Sequence, residues 1–284
     1  MGTTGIVVVQ KVGGKSTATR CFSTYPLKLI IPTKVGSSKI DVVWIYSLSY
    51  GGGVVSGDCI SCSINVEDDC SAAFTTQAST KVYKSIGSKI SGQILEVKIG
   101  KNAFLAVIPD PVTCFAAARY HQKQVFKIEP DSNLVVVDWF TSGRHENGEK
   151  WNFEVYKSTN HIFLNDEQPL FLDSVLLDQT LAVGGIAESM CNYQVIGMLI
   201  FFGPKLKCIQ SLVQDKVKKM MTAYYLTPAR AKISPSLIAS CNAFGLKETG
   251  LVVRIAAVTT ESVYDFLREQ LASIESLIGA APYC

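Results

Sequence analysis

A chain of 284 residues with 48% hydrophobic and only 18% charged residues has ample material for a packed core, which excludes a disordered chain. So few charges over so much chain also leave apolar surface for partners. The formal net charge of +3 is too mild to mark a nucleic-acid-binding protein, and the densest basic group, Lys216, Lys218 and Lys219 near Lys205 and Lys207, reads as a solvated helix face.

Short apolar or alternating segments, punctuated by Gly, Pro, Asn, Asp and Ser, predict strands at Gly5–Val12, Leu27–Ile31, Val42–Leu48, Cys59–Val66 and Ser71–Thr76. Further strands are predicted at Gln93–Ile99, Ala103–Ile108, Val125–Ile128, Asn133–Trp139 and Trp151–Ser158, each rich in β-branched and aromatic residues. Gly100-Lys101-Asn102 suits a hairpin between two of them. The longest apolar stretch, Val195–Phe202, falls far short of the ~18 residues that cross a bilayer, so a soluble, cytoplasmic protein without a membrane partner is expected. Leu206–Thr222 carries Ile209, Leu212, Val213, Val217 and Met220 at helical spacing. A second helix begins at Thr260, which can cap it, with Val263, Phe266, Leu267, Leu271 and Ile274 on one face. The expected architecture is mainly β, one domain over residues 1–284, with about two helices toward the C-terminus.

Chemistry is sparse. The odd number of cysteines, nine, spread along the chain argues against a disulfide framework. Cys114 and Cys208 lie in apolar runs and read as buried free thiols. Cys59 and Cys62, three apart in a predicted strand, point to opposite faces and cannot share one ion. His121, His145 and His161 are far apart, and no Gly-x-Ser-x-Gly elbow occurs. Asp58, Glu67, Asp68, Asp69, Asp138 and Glu149 supply carboxylates, which leaves a carboxylate-dependent hydrolase on a β scaffold open as an alternative.

Three segments are denser in unusual residues than a plain loop needs. Ser49–Asp58 holds Gly51, Gly52, Gly53 and Gly57, without the Lys-Ser/Thr of a phosphate loop; a turn closed by Asp58 on its own backbone is the simpler reading. Phe74–Tyr83 alternates small hydroxylated residues as a polar strand face would. Thr141–Glu149 concentrates charge between two predicted strands, as a hairpin loop or as a site.

Taken in order, these segments resemble the UreD (UreH) family of urease accessory proteins, and its plant branch in particular. The matching elements are Gly51-Gly52-Gly53 through Gly57-Asp58, then Thr75-Thr76-Gln77-Ala78-Ser79-Thr80-Lys81-Val82-Tyr83. Pro109-Asp110-Pro111 follows, with Phe115, Ala116 and Gln122, then Gly143-Arg144, Gly148-Glu149, Phe153 and Leu172-Asp173. Leu48-Ser49-Tyr50 stands where bacterial members carry His-Pro-Pro, and Cys59 where many carry a basic residue. The resemblance implies an elongated, multi-stranded β scaffold without turnover. It would bind UreF-type and UreG-type partners and apo-urease, and would help deliver nickel through an internal polar passage. It implies no tightly bound cofactor, only transient Ni2+. Asp58, Thr75, Gln77, Thr80 and Glu149 are the residues expected along that passage, since neutral and hard oxygens release a hydrated cation more readily than thiolates do.

Overall fold

The computed structural model of the protein describes residues 2–33, 39–182, 184–226 and 235–283. A hairpin opens the chain, β1 (Gly5–Val12) and β2 (Lys15–Ser23), joined by Gly13 and Gly14 at φ +58° and +80°. Next come β3 (Leu27–Ile30) and the antiparallel β4 (Val43–Ser49). From there the chain alternates between two facing sheets. It places β4 in the first sheet, β5 (Cys59–Val66) in the second and β6 (Ser71–Thr76) in the first again. After a short β7 (Thr80–Val82), β8 (Ser91–Ile99) joins the second sheet and β9 (Phe104–Val107) the first. The same step repeats beyond β10 (Val112–Cys114), with β11 (Arg119–Ile128), β12 (Asn133–Thr141) and β13 (Val155–Leu164). Within each sheet the coiled strands run parallel, β4–β6–β9–β12 facing β5–β8–β11–β13.

The remaining strands are antiparallel additions. β14 (Gln168–Asp178) pairs with β13, and β15 (Val195–Phe202) with β12, the short α1 (Ile186–Ser189) lying between them in sequence. After α2 (Lys207–Leu226), β16 (Leu237–Phe244) and β17 (Gly250–Ala257) complete sheets of ten and seven strands, so the mainly β expectation holds. α3 (Thr260–Leu271) and α4 (Glu275–Ile278) end the described chain.

The coil corrects two expectations. Gly100–Asn102 is not a hairpin turn, because β8 and β9 belong to different sheets; likewise 142–154 joins β12 to β13 across the two sheets. Parallel neighbours need a crossover, and here the crossover is a strand of the facing sheet. Period 2 then sorts each first-sheet strand between two layers. Ile45, Phe74, Val107 and Val136 face the second sheet, while Trp44, Ala73, Ala106 and Val137 face the helices.

The helical layer also departs from its predicted faces. In α2, Ile209, Val213 and Val217 are buried, but Leu212 is 55% and Met220 37% exposed. The packed face of α2 is Ile209, Gln210, Val213 and Val217 with Met221 partly buried beside them, and Leu212 and Met220 are left on the solvent side. Cys208, expected buried, is exposed on the same helix, whereas Cys114 is buried as expected. Cys59 and Cys62 point to opposite faces of β5, and burial pushes the Cys62 thiol up to about 12, an inert state. The cap of α3 is Thr259, one residue before the expected Thr260, with the Ser262 amide donating to Thr259 Oγ1 at 3.2 Å. Val263, Phe266, Leu267, Leu271 and Ile274 are all buried, as the periodicity predicts. Among the described residues no helix is long and apolar enough to cross a membrane.

Candidate functional site

Every first-sheet strand of the coil ends where the next second-sheet strand begins. The long connections 50–58, 77–90, 108–118 and 142–154 therefore gather at one rim of the fold. The opposite end carries shorter turns at 67–70, 100–103 and 129–132. The three segments Ser49–Asp58, Phe74–Tyr83 and Thr141–Glu149 and the Pro109-Asp110-Pro111 element meet at this rim, whereas Gln122 and Leu172-Asp173 lie within β11 and β14.

Packing interlocks the four connections. Gly53 is buried against the 80–83 segment: a Cβ there would stand 2.6 Å from Lys81 O and 2.6 Å from Tyr83 Cε2. That approach lets the Val54 amide donate to Lys81 O at 2.8 Å and the Tyr83 amide to Val54 O at 3.0 Å. Tyr83 meets Phe115 edge-on at 5.2 Å, and the Arg144 guanidinium lies 4.1 Å over the Phe115 ring. Arg144 also pairs with Glu149, through Nη2 to Oε1 and through Nε to Oε2 at 3.1 Å. Gly143 and Gly148, at φ +124° and +80°, allow the turn that brings the two ends of this clasp together. Pro109 O accepts from Trp139 Nε1 at 2.9 Å and from Tyr283 OH at 3.0 Å, and Pro111 O accepts from the Thr80 amide at 2.9 Å.

Two expected passage residues thus have structural work of their own. Asp58 closes its turn, accepting from the Val55 amide at 3.2 Å, and Glu149 serves the Arg144 clasp. The Arg144 hydrogen bonds hold the Glu149 carboxyl below the usual glutamate range. A depressed folded-state pKa stabilises above the unfolded value of about 4.3, and that contribution is lost as pH falls through the folded one. Urea midpoints of Glu149→Gln against the native chain should therefore differ at about pH 6, and the difference should shrink as pH falls below about 4.3. A difference that does not change with pH would remove the clasp from the account.

Thr75, Thr76, Gln77 and Thr80 do not share one face. Thr75 turns to the helical side, donating to Ile108 O at 2.8 Å, while Thr76 turns between the sheets. Gln77 and Thr80 line an open cavity at the rim with Gly52, Ala78 and Ser79. Thr80 also lines an inner cavity, and Ser47, Ile60, Thr76 and Gln93 are common to both, so the two are contiguous. The inner one offers about 70 Å³, room for several waters.

Among mostly apolar lining residues, Gln93, Gln122 and Gln124 give that inner cavity one polar side, and a buried polar ladder continues behind them. Gln93, Gln122 and Ser158 are register partners on β8, β11 and β13, and Gln124 pairs with Asn160 one step further. Beyond them the same inward faces turn apolar, with Val97, Phe126 and Ile162. Opposite stands Asp138 of β12. Its Oδ1 accepts from Gln122 Nε2 at 2.7 Å, and its Oδ2 from Ser158 Oγ at 2.9 Å and Asn160 Nδ2 at 2.6 Å. Gln124 Nε2 donates to Asn160 Oδ1 at 3.0 Å and fixes that amide's orientation. Burial pushes the Asp138 carboxyl up, and the three donors pull it part of the way back. Tyr156 OH is fully buried in the same cluster, close to Asp138 and Ser158. Asp138 is absent from the passage expected on sequence grounds. The available signal was a carboxylate inside the apolar run Leu134–Phe140, where a buried strand tolerates a charge only with partners.

Among the described residues no three His, Cys, Asp or Glu side chains come together as a metal site. The arrangement is a pair of adjoining cavities whose inner member has a mostly apolar lining, with Gln93, Gln122, Gln124 and one carboxylate, Asp138, on its polar side. A match to the family described as UreD urease accessory protein spans residues 3–284. The chain is 58% identical to urease accessory protein D of Arabidopsis thaliana, covering 99% of both chains. It is 57% identical to the protein of the same name from Oryza sativa subsp. japonica, over 99% of this chain and 94% of that one. Urease accessory protein UreD of Anaeromyxobacter sp. (strain Fw109-5) is 30% identical, over 98% of this chain and 88% of that one.

Proposed function

The chain belongs to the UreD family of urease accessory proteins, and on that premise we propose that it is a non-catalytic maturation scaffold that guides nickel to apo-urease, assembled with UreF-type and UreG-type partners. The observation that carries the reading is the contiguous pair of cavities running from Gln77 and Thr80 at the rim to Gln93, Gln122 and Asp138 between the sheets. Amide and hydroxyl oxygens replace part of a cation's hydration shell without holding it, and one carboxylate supplies attraction in a low-dielectric wall. Nickel is cargo here, with no resident metal. Asp58, Thr75 and Glu149 act by keeping the rim in shape, while Gln77 and Thr80 form its mouth. The hydrolase alternative gains nothing from the geometry: Asp138 has both oxygens occupied by neutral donors, and Asp110 is held by Tyr264 OH at 2.7 Å.

The test is reconstitution of apo-urease with nickel, bicarbonate and the partner proteins, with and without this chain. Thr80→Trp, which fills the junction of the two cavities, should lower activation roughly tenfold or more while the assembly still co-purifies. Undiminished activation by that variant would end the passage reading.

A further inference from the structure

A second cavity lies on the helical side of the first sheet. It offers about 530 Å³, within the range of roughly 300–1,000 Å³ usual for small-molecule sites. Trp44 and Tyr46 of β4 line it from the sheet, and Tyr264 and Arg268 of α3, with Ala281 and Tyr283 of the C-terminal segment, line it from the helical layer. Asp110 and Thr76 line both this cavity and the inner one, so the two adjoin there.

The aromatic walls are fixed without a ligand. Trp44 and Tyr46 stack with ring centroids 6.0 Å apart, and Trp44 Nε1 donates to Ile278 O at 2.9 Å. Tyr264 OH donates to Asp110 Oδ1 at 2.7 Å, and Arg268 Nε donates to Tyr283 O at 2.8 Å. The charged groups keep capacity to spare. Arg268 Nη1 donates to Asp265 Oδ1 at 2.9 Å, and Nη2 has no hydrogen bond among the described residues. Asp110 Oδ2 meets only a distant Thr76 hydroxyl, at 3.5 Å, among the described residues. The Tyr46 hydroxyl and the Gln77 amide, also in the lining, make no hydrogen bond among the described residues.

Those groups narrow the ligand. A simple anion at Arg268 would meet Asp110, and a simple organic cation at Asp110 would meet Arg268. An uncharged apolar molecule would strip water from both charges and replace none of it. A molecule carrying both charges satisfies each. We propose that this cavity binds a small organic zwitterion, with its carboxylate on Arg268 Nη2 and its ammonium group toward Asp110 and the aromatic rings. A guanidinium gives a carboxylate charge-assisted hydrogen bonds, and the electron-rich faces of Trp and Tyr attract an alkylated ammonium. Binding here is independent of the nickel passage.

The experiment is calorimetric titration of the purified chain with glycine betaine and with L-leucine, a quaternary and a primary ammonium zwitterion. Acetate and tetramethylammonium serve as the two halves, and Trp44 emission gives a second readout. At least one zwitterion should bind with a submillimolar Kd, and each half at least about tenfold more weakly. Tighter binding of the betaine would assign the ammonium to the rings, and tighter binding of leucine would assign it to Asp110; either supports the site. Arg268→Gln should weaken the zwitterion about tenfold, as should Asp110→Asn, with denaturant midpoints checking that each variant is folded. Ala281→Phe, which fills the cavity from the C-terminal segment and leaves both charges in place, should abolish binding. Failure of both zwitterions to bind below about 10 mM, halves that bind as tightly as the whole, or native affinity in Ala281→Phe would overturn the proposal.

Discussion

Asp138→Asn should leave the fold and the accessory assembly intact while lowering nickel-dependent urease activation roughly tenfold or more. The substitution keeps the shape and removes the charge. Gln122 Nε2 can still donate to the remaining oxygen, and Ser158 can turn its hydroxyl to accept. Asn160 is the difficulty, because its amide now faces an amide; rotating it brings its donors toward Gln124 Nε2, which must rotate in turn. That rearrangement costs about 1–2 kcal/mol, against which relief from burying a charge offsets part.

The pH dependence separates the two effects. Asp138 is shifted upward by burial, so the stability belonging to its protonated form is complete below the unfolded value and is lost as pH rises through the folded one. The Asn variant lacks that loss, and its stability relative to the native chain should improve toward neutral pH. Activation should move oppositely: in the native chain it falls as pH drops and Asp138 takes up a proton, earlier than an ordinary carboxylate would dictate. Urea denaturation and reconstitution across the same pH series measure both. Full activation by Asp138→Asn at neutral pH would show that the cavity works without its charge.

How far this site was legible in the sequence follows from what period and composition can encode. β1, β5 and β6 match their predicted spans, because alternation over six to eight residues between turn residues admits one reading. β11 begins at Arg119 rather than Val125, since Gln122 and Gln124 put amides on its inward face where a core strand is expected to be apolar. Those same amides line the inner cavity, so the local failure falls at the candidate site. The expected strand at Trp151–Ser158 starts instead at Val155. Trp151 sits at φ +59°, buried in the connection with its indole donating to Tyr193 O at 3.0 Å. Thr75 and Thr76 differ only by one step of the pleat, and a motif compared as a block cannot say which of the two looks inward. Convergence of four connections on one rim is invisible as well. It depends on strand neighbours alternating between sheets, whereas short turns such as Gly100–Asn102 suggest hairpins.

The glycine run offers the sharpest stability test, because its three members are glycine for two different reasons. Gly51 and Gly52 sit at φ +71° and +72° with open space where a Cβ would go, so alanine costs only the left-handed backbone, about 1–2 kcal/mol at each. Gly53, at φ 171°, is ordinary extended backbone; there the obstacle is contact, with Lys81 O and the Tyr83 ring both 2.6 Å from a new methyl. Neither neighbour can yield freely. Lys81 O accepts the Val54 amide, and Tyr83 is braced by Phe115, which carries Arg144. Gly53→Ala should therefore destabilise by about 3 kcal/mol or more and push the 50–58 connection off the rim. Because that connection forms one side of the cavity mouth, the variant should also lose urease activation at temperatures where it remains folded. Gly51→Ala and Gly52→Ala should activate almost normally once their smaller loss of stability is allowed for. Denaturant midpoints for the three variants, read beside activation at low temperature, decide the matter. Equal losses at all three positions would mean that the contact of Gly53 with Lys81 and Tyr83 adds nothing, and that the mouth does not depend on it.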